Sequence, residues 1–150
     1  MDVGATVSRA MVDIDLPELS GRSIAITAGS RGIPGYVEIL RTLVSELKVR
    51  GALPFVVPAM GSHGGASTEG QLKVLAGYGV TEATVGAPIR SSLETVVVGQ
   101  LHDGTPLHTD RLAYEADGII VFNKIKPHTA YKSANESGLA KMLVIGLGKH

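Results

Sequence analysis

Cysteine and tryptophan are both absent from this chain of 150 residues. Without cysteine the chain has no disulfide bridge, no thiolate nucleophile and no cysteine-ligated metal ion. The absence leaves the compartment open, and the cytoplasm is then the default expectation. Because only two phenylalanines are present, we expect the hydrophobic core to consist of Val, Ile, Leu and Ala.

A charge excess of either sign is also missing, since 14 basic residues balance 14 acidic ones. This balance indicates neither a nucleic-acid nor an anionic-membrane partner. No apolar run approaches the roughly 20 residues of a membrane helix, and the first residues show no signal-peptide pattern. A hydrophobic content of 44% with 19% charged residues is typical of one folded globular domain.

Short apolar runs alternate with stretches of helical periodicity along the first half of the chain. We predict strands at residues 23–27 and 55–57, the latter within the apolar run 53–60, each followed by a helix, at 34–50 and 68–78. Thr68 and Gln71 predict a capping box for the second helix. Further on, the pattern predicts strands at 94–98, 106–109 and 118–122, a helical turn at 111–115 and a last helix at 137–144. This βαβα order predicts an α/β fold whose core is a parallel sheet with helices on both faces.

Residues suited to chemistry follow three of the predicted strands. The first strand leads into a loop that contains Arg31, and the second into Gly61-Ser62-His63-Gly64-Gly65. The strand at 118–122 leads into Asn123-Lys-Ile-Lys-Pro-His128. Because parallel strands present their carboxyl ends at one edge of the sheet, we expect these three loops to form one crevice.

Each candidate residue has a functional and a plainer interpretation. The glycine-rich loop suits an anion or cofactor facing its backbone N–H groups and a helix N-terminus, or it is a tight connection with a solvated histidine. His63 and His128 suit general acid/base catalysis, or each packs over a strand end. Arg31 suits a two-pronged bond to a carboxylate, or it is solvated. Lys141 is either a desolvated nucleophile or a side chain reaching solvent.

Other motif classes do not occur. The glycine-rich loop is not a Walker loop, since no Gly-Lys-Ser/Thr follows it at the required spacing. No His/Asp/Glu spacing typical of a zinc site is present, and the carboxylates show no glycosidase-type pairing. We interpret His102 and His108, which flank an Asp103-Gly104 turn, as structural.

Taken together, three segments resemble the lactate racemase family. They are Pro58-Ala-Met-Gly-Ser-His-Gly-Gly-Ala-Ser-Thr-Glu-Gly-Gln71, Asn123-Lys-Ile-Lys-Pro-His128 and Glu136-Ser-Gly-Leu-Ala-Lys-Met-Leu-Val-Ile-Gly-Leu-Gly-Lys-His150. The resemblance covers the chain from about Ile24 onward. It implies a racemase or epimerase, an isomerase, that acts on a small 2-hydroxy acid such as lactate. The cofactor implied is a nickel-pincer nucleotide, which accepts a hydride from the substrate while a histidine removes the hydroxyl proton.

The resemblance also implies a role for each candidate residue. His63 and His128 would be the acid/base pair, and Arg31 would hold the substrate carboxylate. Lys141 would be the covalent tether of the cofactor and His150 the nickel ligand. The glycine-rich loop would contribute to cofactor binding, through Gly61, Ser62, Gly64 and Gly65. Separate maturation enzymes would supply the cofactor.

Family members have two domains, and the first of them carries these motifs. The chain stops at Gly146-Leu-Gly-Lys-His150, within glycine-rich sequence. We therefore expect residues 1–150 to be an incomplete N-terminal α/β domain without the second one. Two alternatives stay open: a non-catalytic module that binds a nucleotide or an organic acid, and an inactive truncated product.

Overall fold

The computed structural model describes residues 2–124 and 138–149. Helices alternate with strands through most of this part of the chain. The helices are α1 (Val3–Asp13), α2 (Tyr36–Val49), α3 (Thr68–Gly77), α4 (Glu82–Val85), α5 (Arg111–Tyr114) and α6 (Leu139–Lys141), and α6 continues as a π-helix (Met142–Gly146). The strands are β1 (Ser23–Ala28), β2 (Leu53–Pro58), β3 (Thr95–Gln100), β4 (Pro106–Asp110) and β5 (Gly118–Ile120). No helix among these residues is long and apolar enough to cross a membrane.

A three-stranded parallel sheet in the order β2-β1-β5 forms the centre of the fold. β1 pairs with β2 without a register shift, from Ser23 opposite Leu53 to Ala28 opposite Pro58. The two strands therefore end side by side. The predicted parallel sheet is confirmed, and the helices that the periodicity predicted after its first two strands are α2 and α3.

Helices cover both faces of this sheet, as predicted. On one face Ile24 and Ile26 of β1 and Val56 of β2 pack in a cluster with α1, α2, α3 and α4. On the other face the intervening residues Ala25 and Val57 pack in a second cluster, which includes residues of α5 and the π-helix. The alternation arises because successive side chains of a strand point to opposite faces.

The strands β3 and β4 form a separate antiparallel hairpin with an irregularity between Val97 and Gly99. This agrees with the returning strand predicted around the Asp103-Gly104 turn. His108 in this hairpin shares a hydrogen bond with Thr95, 3.0 Å between Nδ1 and Oγ1, in keeping with its structural interpretation.

Two features differ from the sequence predictions. Helix α1, which begins at the side-chain cap Asp2, was not predicted at all. The predicted capping box at Thr68 and Gln71 is wrong, because Ser67 is the N-cap of α3 and its hydroxyl accepts a hydrogen bond from the Gly70 N–H. Gln71 is instead fully buried, and its side-chain amide donates to the carbonyl oxygen of Gly61 at 2.9 Å.

The carboxylate of Asp117 ties the start of β5 to the start of β1. It accepts hydrogen bonds from the backbone N–H and the hydroxyl of Ser23, each at 2.8 Å, and pairs with Arg22 at 3.1 Å. These bonds, those from Ser23 first, hold the pKa of the Asp117 carboxyl below its ordinary value. A carboxyl whose pKa is lower in the folded state stabilises the fold above the unfolded-state pKa, and this stabilisation is lost as the pH falls through the folded-state pKa.

We predict that Asp117→Asn lowers the melting temperature at pH 7 relative to the parent chain. The difference between the two proteins should shrink as the pH falls below about 4, where the carboxyl of the unfolded parent takes up its proton. Thermal unfolding followed by circular dichroism from pH 7 to pH 2.5 measures this. Asp15→Asn is the control, since Asp15 is exposed and its side chain has no hydrogen bond within the described residues; an equal loss in both variants would contradict the prediction.

Candidate functional site

The loop after β1 is held in place by a buried tyrosine. The Tyr36 hydroxyl donates a hydrogen bond to the carbonyl oxygen of Gly29 at 2.9 Å, and burial raises the pKa of this hydroxyl well above its ordinary value. Three residues further on, a side-chain carbon at Gly32 would lie 2.8 Å from the ring of Tyr78. The segment that carries Ser30 and Arg31 is thus held by a hydrogen bond from Tyr36 at one end and by packing against Tyr78 at the other.

The loop after β2 folds back onto the first turn of α3. Gly61, Gly64 and Gly65 have positive φ angles of 57°, 71° and 68°, a region that glycine enters without steric cost. A side-chain carbon at Gly70 would overlap the carbonyl oxygen of Gly64. Because backbone meets backbone here, the loop has little room to rearrange around His63.

The two loops meet through one side-chain contact. The Oγ of Ser30 lies 2.5 Å from Nδ1 of His63, although the two residues are 33 positions apart in the chain. The other ring nitrogen, Nε2, has no hydrogen-bond partner in the part of the chain that is described. His63 is exposed and Ser30 is half-buried. The ring is therefore held at one nitrogen and open at the other.

The third component of the site is residues 138–149, which we call the C-terminal segment. It lies against the loops that follow β1 and β2. The Gly61 N–H donates to the carbonyl oxygen of Gly146 in the π-helix at 3.2 Å. If Gly146 carried a side chain, its first carbon would lie 2.7 Å from the carbonyl oxygen of Ala59. A first side-chain carbon at Gly29 would lie 3.6 Å from the side chain of Met142. Lys141, at the junction of α6 and the π-helix, is half-buried and has no side-chain partner within the described ranges.

A buried ion pair anchors the end of this segment to the hairpin. Lys149 Nζ contacts the carboxylate of Asp110, and both side chains are almost completely buried. The same ammonium group contacts the carbonyl oxygen of Ser92. The other oxygen of Asp110 accepts a hydrogen bond from the Ala113 N–H at 2.8 Å and so caps α5. Since a buried charge without a partner is strongly destabilising, this arrangement holds residue 149 firmly at the end of β4.

The structure brings part of the predicted crevice together. The in-register ends of β1 and β2 bring the loops with Arg31 and His63 to one edge of the sheet. The segment that contains Lys141 packs on both loops. His128 and His150 lie outside the described residues, so their predicted roles stay predictions.

Two functional candidates were missed from the sequence. Ser30 has no signal of its own, because a serine between Gly29 and Arg31 looks like an ordinary loop residue. The contact of Gln71 with Gly61 was hidden behind the capping-box pattern. Only the register of the parallel strands reveals the first contact, and only the fold of the glycine-rich loop reveals the second.

Comparison with known protein families gives a match over most of the chain. Residues 23–150 match the family model described as the lactate racemase N-terminal domain. The chain belongs to the lactate racemase family. No significant match is found among individually curated proteins.

The part that matches the lactate racemase N-terminal domain coincides with the components of the site. The match begins at β1 and takes in both strand exits, the hairpin and the C-terminal segment. Helix α1 precedes it and packs on α2, on the face of the sheet opposite the π-helix. The match therefore takes in the sheet and the loops at its carboxyl edge, whereas α1, which covers one face, lies outside it.

We predict that Gly146→Ala in this lactate racemase domain destabilises the fold by about 1–3 kcal/mol. The new methyl group would meet the backbone of Ala59, and neither the π-helix nor β2 can shift without disturbing the hydrogen bond between Gly61 and Gly146. Urea-induced unfolding measures the change. Gly77→Ala is the matched control, because no atom outside its own stretch of helix lies within 4 Å of the added carbon, and the change should be neutral or stabilising by up to about 1 kcal/mol. Similar losses in both variants would show that the contact with Ala59 is not the cause.

Proposed function

We propose that this chain forms the motif-bearing part of a 2-hydroxyacid racemase or epimerase. The observation that carries the proposal is the contact between Ser30 and His63, which holds an imidazole against the residue that precedes Arg31, at the aligned ends of β1 and β2. In a chain of the lactate racemase family, an oriented imidazole and an arginine on the loop that contacts it suit the removal of a proton from a 2-hydroxy acid.

The chemistry of Arg31 and His63 matches the two neighbouring groups of such a substrate. The Arg31 guanidinium is exposed and, among the described residues, forms no ion pair or side-chain hydrogen bond. A planar guanidinium binds a carboxylate through two parallel hydrogen bonds. Nε2 of His63 is open to accept a proton from the hydroxyl group on the adjacent carbon. A 2-hydroxy acid has this pair of groups, and lactate is the smallest chiral one.

Racemisation requires a proton acceptor for each enantiomer, and His128 is the proposed second one. A neutral imidazole can take up a proton near pH 7 and return it. His63 and His128 would therefore exchange the roles of base and acid when the direction of the reaction reverses. The role of His128 rests on its motif, Lys126-Pro-His128.

The residues present are compatible with the nickel-pincer nucleotide that the family implies. Lys141 presents an amine without a protein partner in the described part of the chain, as a covalent tether requires. If Gly65 carried a side chain, its first carbon would meet no atom within 4 Å apart from its chain neighbours. The glycine-rich loop therefore has open space beside it for a ligand. The described residues contain no group of three His, Asp or Glu side chains that could hold a metal ion. By the family resemblance, His150 would be the protein's ligand to the nickel that the nucleotide carries.

When bound, this cofactor would supply a hydride acceptor. The residues of the chain would bind the substrate and transfer the proton. Arg31 would orient the carboxylate, and His63 and His128 would move the proton. The glycine-rich loop, through Gly61, Ser62, Gly64 and Gly65, would line the cofactor site. Of these, the Gly61 N–H already donates to Gly146, so ligand contacts would come from the other three residues.

We predict that co-expression with cofactor-making enzymes adds a nucleotide-sized mass to the chain, with close to one equivalent of nickel. Lys141→Arg should abolish the covalent mass, because a guanidinium does not form the tether. Intact-mass spectrometry with elemental analysis measures both. Lys73→Arg, in the exposed part of α3, is the control and should keep the adduct. An adduct that persists in Lys141→Arg would move the tether elsewhere, and an unmodified, nickel-free parent chain would favour the binding-module alternative.

We also predict that His63→Ala lowers kcat of the loaded enzyme by about 10²- to 10⁴-fold, the usual contribution of a general base. The interconversion of D- and L-lactate, and of longer 2-hydroxy acids, is followed by chiral chromatography. His102→Ala is the matched control, since His102 is exposed in the hairpin turn. Full activity of the His63 variant, in protein with a normal nickel content, would exclude His63 as the base.

A further inference from the structure

The contact between Ser30 and His63 determines more than the position of the ring. A neutral imidazole has one nitrogen that donates and one that accepts. The hydroxyl at Nδ1 can accept from Nδ1–H, which leaves a lone pair on Nε2, or donate to Nδ1, which leaves a hydrogen on Nε2. Only the first arrangement makes Nε2 a base. Whether Nε2 of His63 can act as a base therefore depends on whether the Ser30 hydroxyl accepts or donates the hydrogen bond at Nδ1.

A backbone hydrogen bond at or beside each residue fixes the position of Ser30 and of His63. On one side, Gly29 accepts the hydrogen bond from the buried Tyr36 hydroxyl. On the other side, the His63 N–H donates to the carbonyl oxygen of Met60 at 3.1 Å. Ser30 Oγ and His63 Nδ1, at 2.5 Å, are within hydrogen-bonding distance. The contact thus joins two loops that are each tied back to the body of the domain.

We propose that Ser30 is the positioning residue of His63, with its hydroxyl oxygen accepting a hydrogen bond from Nδ1–H so that Nε2 is left as the base. The assignment of Nε2 as a working base rests on the proposed function, whereas the hydrogen bond itself does not. Ser30 does not touch the reacting atoms in this role. It acts through the ring of His63.

The test is the tautomer of His63 in the chain labelled with 15N in its histidine rings, without any cofactor. The His63→Ala variant assigns the signals among the five histidines. At a pH where the rings are neutral, we expect the Nδ1–H form for His63 in the parent chain. Ser30→Ala should shift it toward the Nε2–H form, and Ser30→Thr, which restores a hydroxyl, should recover the parent spectrum. Ser45→Ala, an exposed serine of α2, should change nothing at His63.

A parent ring in the Nε2–H form, or a ring unaffected by Ser30→Ala, would overturn the assignment of Ser30. Unfolding curves of all variants accompany the spectra, and the recovery by Ser30→Thr separates a lost hydrogen bond from a damaged loop.

The loaded enzyme gives a second, independent readout. Ser30→Ala should lower kcat by about tenfold or more, yet by less than removal of His63, with little change in KM because Arg31 still binds the carboxylate. If the tautomer responds to Ser30 as expected but the His63→Ala enzyme stays active, the proposed function fails while the hydrogen bond stands. If the tautomer does not respond but the His63→Ala enzyme is inactive, the base stands and the role of Ser30 fails.

Discussion

The parallel pairing of β1 with β2, in register from Ser23 to Ala28 and from Leu53 to Pro58, is the constraint on which the site depends. Because the register has no shift, the two strands end at the same level, and the loops that leave them begin as neighbours. Ser30 is two residues past the end of β1 and His63 is five past the end of β2. A shift of the register by one residue would separate the loops by about 3.3 Å along the strand direction, more than the length of the contact between Ser30 and His63.

The C-terminal segment is attached to this edge by two different kinds of interaction. At the π-helix the attachment is close backbone packing. Gly146 and Gly61 have no side chains, so the main chain of the π-helix approaches the main chain of the loop after β2. At its end the attachment is electrostatic, through the buried pair of Lys149 and Asp110. Packing tolerates few substitutions but depends little on charge. A buried ion pair adds stability only if its geometry is good, and it gives a definite register in return. Together they hold this segment against the edge of the sheet and against the hairpin.

The sequence predicted the elements better than their junctions. Apolar runs and the spacing of Leu40, Leu43 and Leu47 predicted the βαβα core, because burial on both faces demands such runs. Helix α1 was missed although Val3, Val7 and Met11 recur every four residues and Asp2 is a good cap, since the pattern is short and mixed with polar residues. Ser67 and Thr68 both carry capping hydroxyls, and only the path of the glycine-rich loop decides between them. The partner of His63 could not be predicted, because it depends on strand register and not on local sequence.

A hydroxyl at Nδ1 suits a reaction that must run in both directions. In the proposed cycle His63 alternates between a neutral ring with hydrogen on Nδ1 and an imidazolium with hydrogen on both nitrogens. Nδ1 is a donor in both states, so Ser30 remains an acceptor throughout, and no hydrogen bond has to rearrange when the proton moves at Nε2. A carboxylate in the same place would add a charge that stabilises the imidazolium selectively and so would favour proton uptake over proton return. The neutral partner therefore orients the ring through one hydrogen bond without placing a charge beside it.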